Sequence, residues 1–200
     1  MNKSSFDNDY CAIYDGLFYP GIPVKYQFLL FHQVLDAWRN RSLLGEHYNE
    51  NDLKFYDGVL GFVIRQGNQY HRNSEAGDWA PAPILELMKT WQYQGLIYRV
   101  VNSPRSRIKY HKKIASWTKD ANSFDHFNKL CPDEKYTFIV ADTGSSFGFD
   151  VNKYDSNAGR SNPYLCHEDE IIFPMDKKYV KAVFWGTLKD FKDFLNKFNT

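Results

Sequence analysis

Four short stretches carry the side chains whose types and spacing could do chemistry. Residues 167–174 read His-Glu-Asp-Glu-Ile-Ile-Phe-Pro, an acidic mouth on an apolar body. Strand side chains alternate, which predicts Glu168 and Glu170 on one face and Asp169 on the other. At about 3.3 Å rise per residue their Cα atoms stand roughly 7 Å apart. Carboxylates side by side repel and gain nothing from an ordinary sheet. Taken alone, Glu-x-Glu reads as a solvated strand end. As a working pair it offers a base and an electrostatic stabiliser. Upstream, Tyr98 and Arg99 fall inside Leu-Ile-Tyr-Arg-Val-Val (96–101), and Ser116-Trp117-Thr118 closes Lys-Ile-Ala-Ser-Trp-Thr (113–118). An arginine fork grips phosphate or carboxylate oxygens; its plainer role is a surface charge at a strand edge. Ser116 and Thr118 can position an acid or cap a following helix. The fourth stretch, Phe-Ile-Val-Ala-Asp-Thr-Gly-Ser-Ser at 138–146, puts Asp142 in a turn-forming context.

The elements that must position these residues follow from hydrophobic periodicity. Val24, Phe28, Phe31, Leu35 and Trp38 form one apolar stripe and predict a helix over 23–42. Leu53, Tyr56, Leu60 and Val63 suggest a second, weakened by Gly58 and Gly61. A turn-rich segment spans 67–83, and Ile84, Leu87, Met88 and Trp91 mark a third helix with Gly95 as its C-cap. The pattern then changes to β-rich runs at 96–101, 113–118, 136–141, 147–151, 167–174 and 179–185. Between them lie a short helix over 120–130, stopped by Pro132, and a polar loop over 152–167. Leu188, Phe191, Leu195 and Phe198 close the chain with an amphipathic helix. Helices first and strands afterwards predict an α+β fold, a helical N-terminal part over about 1–95 followed by a mostly antiparallel β core over 96–200, in one domain.

Two hundred residues suffice for a real core. A net charge of +1 argues against a dedicated nucleic-acid binder. The 14 Tyr and 16 Phe can build stacking pockets, although most must serve as core. Cys11, Cys131 and Cys166 fit neither a disulfide framework nor a zinc spacing, which points to a reducing compartment. The first residues lack the apolar core of a signal peptide, and no run approaches membrane-spanning length. The expectation is a cytoplasmic protein, monomeric and without a membrane partner, acting in its own cell or in one it is delivered to.

In order, an aromatic-Arg strand, Ser-x-Thr and Glu-x-Glu with trailing apolar residues resemble the mono-ADP-ribosyltransferases of the cholera-toxin-like class, including small bacteriophage and bacterial-effector enzymes. Ile-Tyr-Arg-Val-Val at 97–101, Ser116-Trp117-Thr118 and Glu168-Asp169-Glu170-Ile-Ile-Phe-Pro carry the likeness. So does Gly-Phe-Asp-Val at 148–151, leading toward the loop before the glutamates. The chain departs from the pattern at Trp117, Thr118 and Val100, none of which removes a required functional group. The resemblance covers about residues 90–187 and implies a fold of that type with NAD as substrate and no metal. It assigns Glu170 to the oxocarbenium ion and ribose, Glu168 to the acceptor, and Ser116 to holding Glu170. Arg99, with Tyr98, Ser116 and Thr118 beside it, would bind NAD. Tyr164, on the loop before the glutamates, would meet the acceptor. Two glutamates rather than Gln-x-Glu resemble the arginine-modifying branch, which implies an arginine of a protein partner; nucleic acid as acceptor, and hydrolysis of NAD, stay open.

Other classes remain. Asp142-Thr-Gly-Ser resembles the turn of aspartic peptidases, where two aspartates share a proton; one copy per chain would require a homodimer. Arg105, Arg107, Lys109, Lys112 and Lys113, interleaved with Tyr110, could form a nucleic-acid-binding patch or a solvated loop. A glycosidase usually draws its two carboxylates from separate elements, and adjacent Cys166 and His167 would face opposite sides of a strand.

Overall fold

The structure is a computed structural model that describes residues 23–40, 60–61, 89–102, 104, 108–110, 114–127, 130–157 and 169–198. The chain divides into two compact units, Met1–Thr90 and Trp91–Thr200. In the first, α1 (Val24–Asn40) follows the predicted periodicity. It buries Gln27, Phe31, Val34 and Leu35 at steps of four and three, and exposes Tyr26 and Leu29 on its other side. Of the second predicted helix only residues 60–61 are described, and they are helical.

The second unit is a curled antiparallel sheet. Its strands are β1 (Gln92–Tyr93), β2 (Leu96–Val101), β3 (Ile114–Thr118), β4 (Tyr136–Asp142), β5 (Gly148–Asp150), β6 (Glu170–Pro174) and β7 (Val180–Gly186), in the spatial order β1-β5-β6-β3-β2-β4-β7. Two helices join them, α2 (Val151–Asn157) and α3 (Leu188–Phe198). The α+β class and the antiparallel sheet agree with expectation.

Strand alternation sorts the core into two layers. On one face Tyr98, Phe138 and Val140 pack with Phe124 and with Phe191 and Leu195 of α3. Phe138 and Phe191 stack at 4.3 Å with a 7° interplanar angle. On the other, Ile97, Ala115, Trp117, Ile139, Ala141, Ile171 and Phe173 form a second cluster. Fully burying a side chain of this size contributes about 1.5–3 kcal/mol, so α3 is held mainly by its aromatic stripe. Its start is fixed by a capping box. Thr187 Oγ1 accepts from the Asp190 amide at 3.2 Å, and the Asp190 carboxylate accepts from the Thr187 amide and hydroxyl.

Several elements differ from the sequence expectation. The helix before β1 ends at Thr90, and a strand stands between it and Gly95. Gly95 therefore is not a C-cap. It has φ 141°, and its amide and carbonyl hold the turn after β4, through Thr143 Oγ1 at 3.0 Å and the Thr143 amide at 3.1 Å. The helix expected over 120–130 is a 3-10 segment, Ala121–His126, capped by the Asp120 carboxylate on the Asn122 amide. The polar loop expected from 152 begins instead with α2. The Glu-x-Glu strand starts only at Glu170, because Asp169 has φ 44°. Extended alternation does not run through that residue, and Glu168 lies outside the described residues. No helix among the described residues is long and apolar enough to cross a membrane.

Candidate active site at the split in the sheet

β3 is the hinge between two half-sheets. It pairs with β6 along its whole length, from Ile114 opposite Pro174 to Thr118 opposite Glu170. β2 pairs just as fully with β4, from Leu96 opposite Asp142 to Val101 opposite Thr137. Between β2 and β3 the ladder holds at one position, Tyr98 opposite Thr118. Beyond it the strands part, and a side chain takes over from the backbone: the Arg99 guanidinium donates to the Ser116 carbonyl. A cavity of about 120 Å³ opens there, lined by Tyr98, Arg99, Val100, Ser116, Trp117, Thr118, Phe124 and Phe127. Pockets that bury a whole small molecule measure roughly 300–1,000 Å³, so this one suits one end of a larger ligand.

The split thus gathers Tyr98, Arg99, Ser116 and Thr118 on one cavity, although they were proposed from separate motifs. Alternation sends Tyr98 and Arg99 to opposite sides of β2, and both reach the cavity because the strand edge is open. Glu170 is not among its lining residues. It lies one strand further on, in a row that runs Glu170, Thr118, Tyr98, Val140 across four strands. Side chains opposite one another in such a row stand about 4.5–5.5 Å apart at their Cβ atoms. Glu170 is buried at 8% exposure. Its neighbour in register is Thr118, while Ser116, opposite Ile172, is diagonal to it. The Thr118 hydroxyl is engaged in the turn that leaves β3, donating to the Asp120 carbonyl at 2.9 Å and accepting from the Asp120 amide at 3.2 Å. Trp117 faces the opposite core layer, where its indole N–H donates to the Phe173 carbonyl at 3.0 Å and pins β3 to β6.

Burial, with the Asp120 carboxylate second, raises the Tyr98 phenol above its ordinary value, so it stays a neutral hydrogen-bonding group at physiological pH. Phe124 and Phe127, packed edge to face at 5.3 Å, supply the apolar wall. Their spacing of three within the predicted helix was the sequence signal for that wall. A polar cluster behind the site carried no such signal. Lys119, Ser123, Asp150, Asn152 and Asp169 meet where β3, β5, α2 and β6 converge.

Glu168, Tyr164, Arg105, Arg107, Lys112 and Lys113 lie outside the described residues. Of the basic run, Lys109 is exposed and Tyr110 packs against the apolar cluster rather than standing free as a stacking platform. Asp142 ends β4 in an Asx turn, its carboxylate accepting from the Gly144 amide at 2.9 Å with Lys181 Nζ at 3.8 Å. That is the β-turn role expected of it. Among the described residues no cluster of three or more His, Cys, Asp or Glu has metal-holding geometry. Neither protein-family models, curated proteins nor solved structures match this chain.

Proposed function

We propose that the protein is an NAD-dependent mono-ADP-ribosyltransferase, with the β2–β3 split as the site where NAD is cleaved. The observation that carries the reading is the convergence of Arg99, Ser116 and Thr118 on one cavity with Glu170 beside Thr118 in the adjacent strand. Three motifs separated in sequence become neighbours only because β3 sits between β2 and β6.

The chemistry suits these residues. The bond between ribose C1′ and the nicotinamide nitrogen breaks with its electron pair moving onto the ring, so nicotinamide leaves neutral and the ribose carries oxocarbenium character. A buried carboxylate stabilises that charge more than an exposed one can, and Glu170 is the buried carboxylate beside the cavity. Arg99 holds the NAD diphosphate or ribose through its fork, its direction fixed by the bond to the Ser116 carbonyl. Ser116 and Thr118 form the wall between arginine and glutamate; Ser116, diagonal to Glu170, helps hold its carboxylate. Glu168 serves the acceptor. An arginine guanidinium must lose a proton as it attacks C1′, and a carboxylate base accepts that proton. The products are nicotinamide and an ADP-ribosylated protein arginine.

The experiment is incubation with NAD labelled in its adenosine and a cell lysate. Label should appear on protein, in a linkage cleaved by neutral hydroxylamine. Label confined to nucleic acid or to free ADP-ribose would reject protein transfer. Intact NAD would reject the whole reading.

A further inference from the structure

Asp169 is the one non-glycine residue with positive φ among the described residues. An aspartate tolerates the left-handed region better than most residues, yet still at a cost, and such strain persists only where the surroundings over-determine it. Here the surroundings are plain. The Asp169 carbonyl accepts from the Lys119 amide at 3.0 Å, one step past the Thr118–Glu170 pair. Its carboxylate accepts from Ser123 Oγ at 3.3 Å and Asn152 Nδ2 at 3.3 Å, and Lys119 Nζ lies 3.5 Å away. The same ammonium donates at 2.9 Å to Asp150, whose side chain is fully buried. Asp150 in turn caps α2 through the Lys153 amide at 3.0 Å.

A fully buried carboxylate demands a cation, so Asp150 fixes where the Lys119 ammonium sits. Placed there, the ammonium also reaches Asp169 and ties the residue before β6 to the exit of β3. The conformation of Asp169 sets how the chain enters β6, since Glu170 follows it directly. We infer that Lys119 is a positioning residue for Glu170: by bridging Asp150 and Asp169 it holds the left-handed conformation of Asp169 and so aims the glutamate. This deepens the NAD-cleavage reading and rests on it for its kinetic arm. The tether itself can be tested without that reading.

Lys119→Met alone leaves Asp150 buried without its cation and can unfold the chain. The informative variant is therefore the double substitution Lys119→Met with Asp150→Asn, beside Lys119→Arg as the conservative rescue. With folding verified by an unchanged melting profile, the double variant should release nicotinamide with kcat lowered about tenfold or more and KM for NAD within about threefold of wild type. Lys119→Arg should recover most of the loss. Independently of any turnover, hydrogen exchange of the residue-119 amide should quicken about tenfold or more in the double variant, while the amide of Ile139 in β4 keeps its protection. Unchanged exchange at residue 119 overturns the tether even if NAD is cleaved. Quickened exchange with unchanged kcat overturns the link to Glu170. Should the wild type leave NAD intact, the function above fails while the exchange result still decides the tether.

Discussion

Glu170 owes its place to Thr118, and Arg99 owes its place to the β2–β3 ladder, which holds only at Tyr98. The residue types at the site were legible in the sequence, because arginine, hydroxyl and carboxylate each stood in a recognisable strand context. The left-handed conformation of Asp169 was not. Nothing local to an aspartate between two glutamates announces a positive φ; it is held by Lys119, Ser123 and Asn152, which come from other elements. Strand alternation therefore does not carry from Glu170 back to Glu168, and the proposed division of labour between them makes a prediction of its own. A guanidinium acceptor needs a base, whereas water attacking the same oxocarbenium ion asks less of one. Glu168→Gln should therefore suppress transfer to protein at least about tenfold more than NAD hydrolysis. Measuring both products in one reaction tests this, and equal losses would contradict arginine as acceptor.

The strands with strong β-branched or aromatic runs were all readable, and so were α1 and α3. What escaped were short elements whose cause is tertiary. β1 has two residues and exists by pairing Gln92 and Tyr93 with Phe149 and Gly148. α2 shows its sequence as polar, yet Val151 and Tyr154 are fully buried, and the Asp150 carboxylate caps its first turn. The capping box of α3 is local and should behave so. Thr187→Ala should lower stability by about 1 kcal/mol in chemical denaturation at neutral pH. Hydrogen bonds from the Thr187 hydroxyl and amide hold the Asp190 carboxyl below its usual range. A depressed folded-state value means the contribution is present above the unfolded-state pKa and fades as pH falls through the folded one. The stability gap between wild type and Asp190→Asn should accordingly narrow in acid, and a gap that widens there would contradict the assignment. Gly148 marks the close approach of β5 to β6, where a β-carbon would strike Cγ2 of Ile171. Gly148→Ala should cost about 1–3 kcal/mol, read from the same denaturation curves.

At the scale of the molecule, the switch from helical to β-rich pattern near residue 95 lies close to the division between Thr90 and Trp91. Periodicity gave the class and the order of elements along the chain. It could not give the spatial order of strands, because β3 pairs with β6, which follows β4, β5 and α2 in the chain. That non-local pairing is what sets Glu170 beside the split. The most direct measurement is nicotinamide release from NAD by purified wild type and by Glu170→Gln, with matched melting profiles. With Glu170 in its proposed role beside the developing oxocarbenium ion, removing its charge should lower kcat by about 100-fold or more. Equal rates in the two proteins, or no release by wild type, would contradict it.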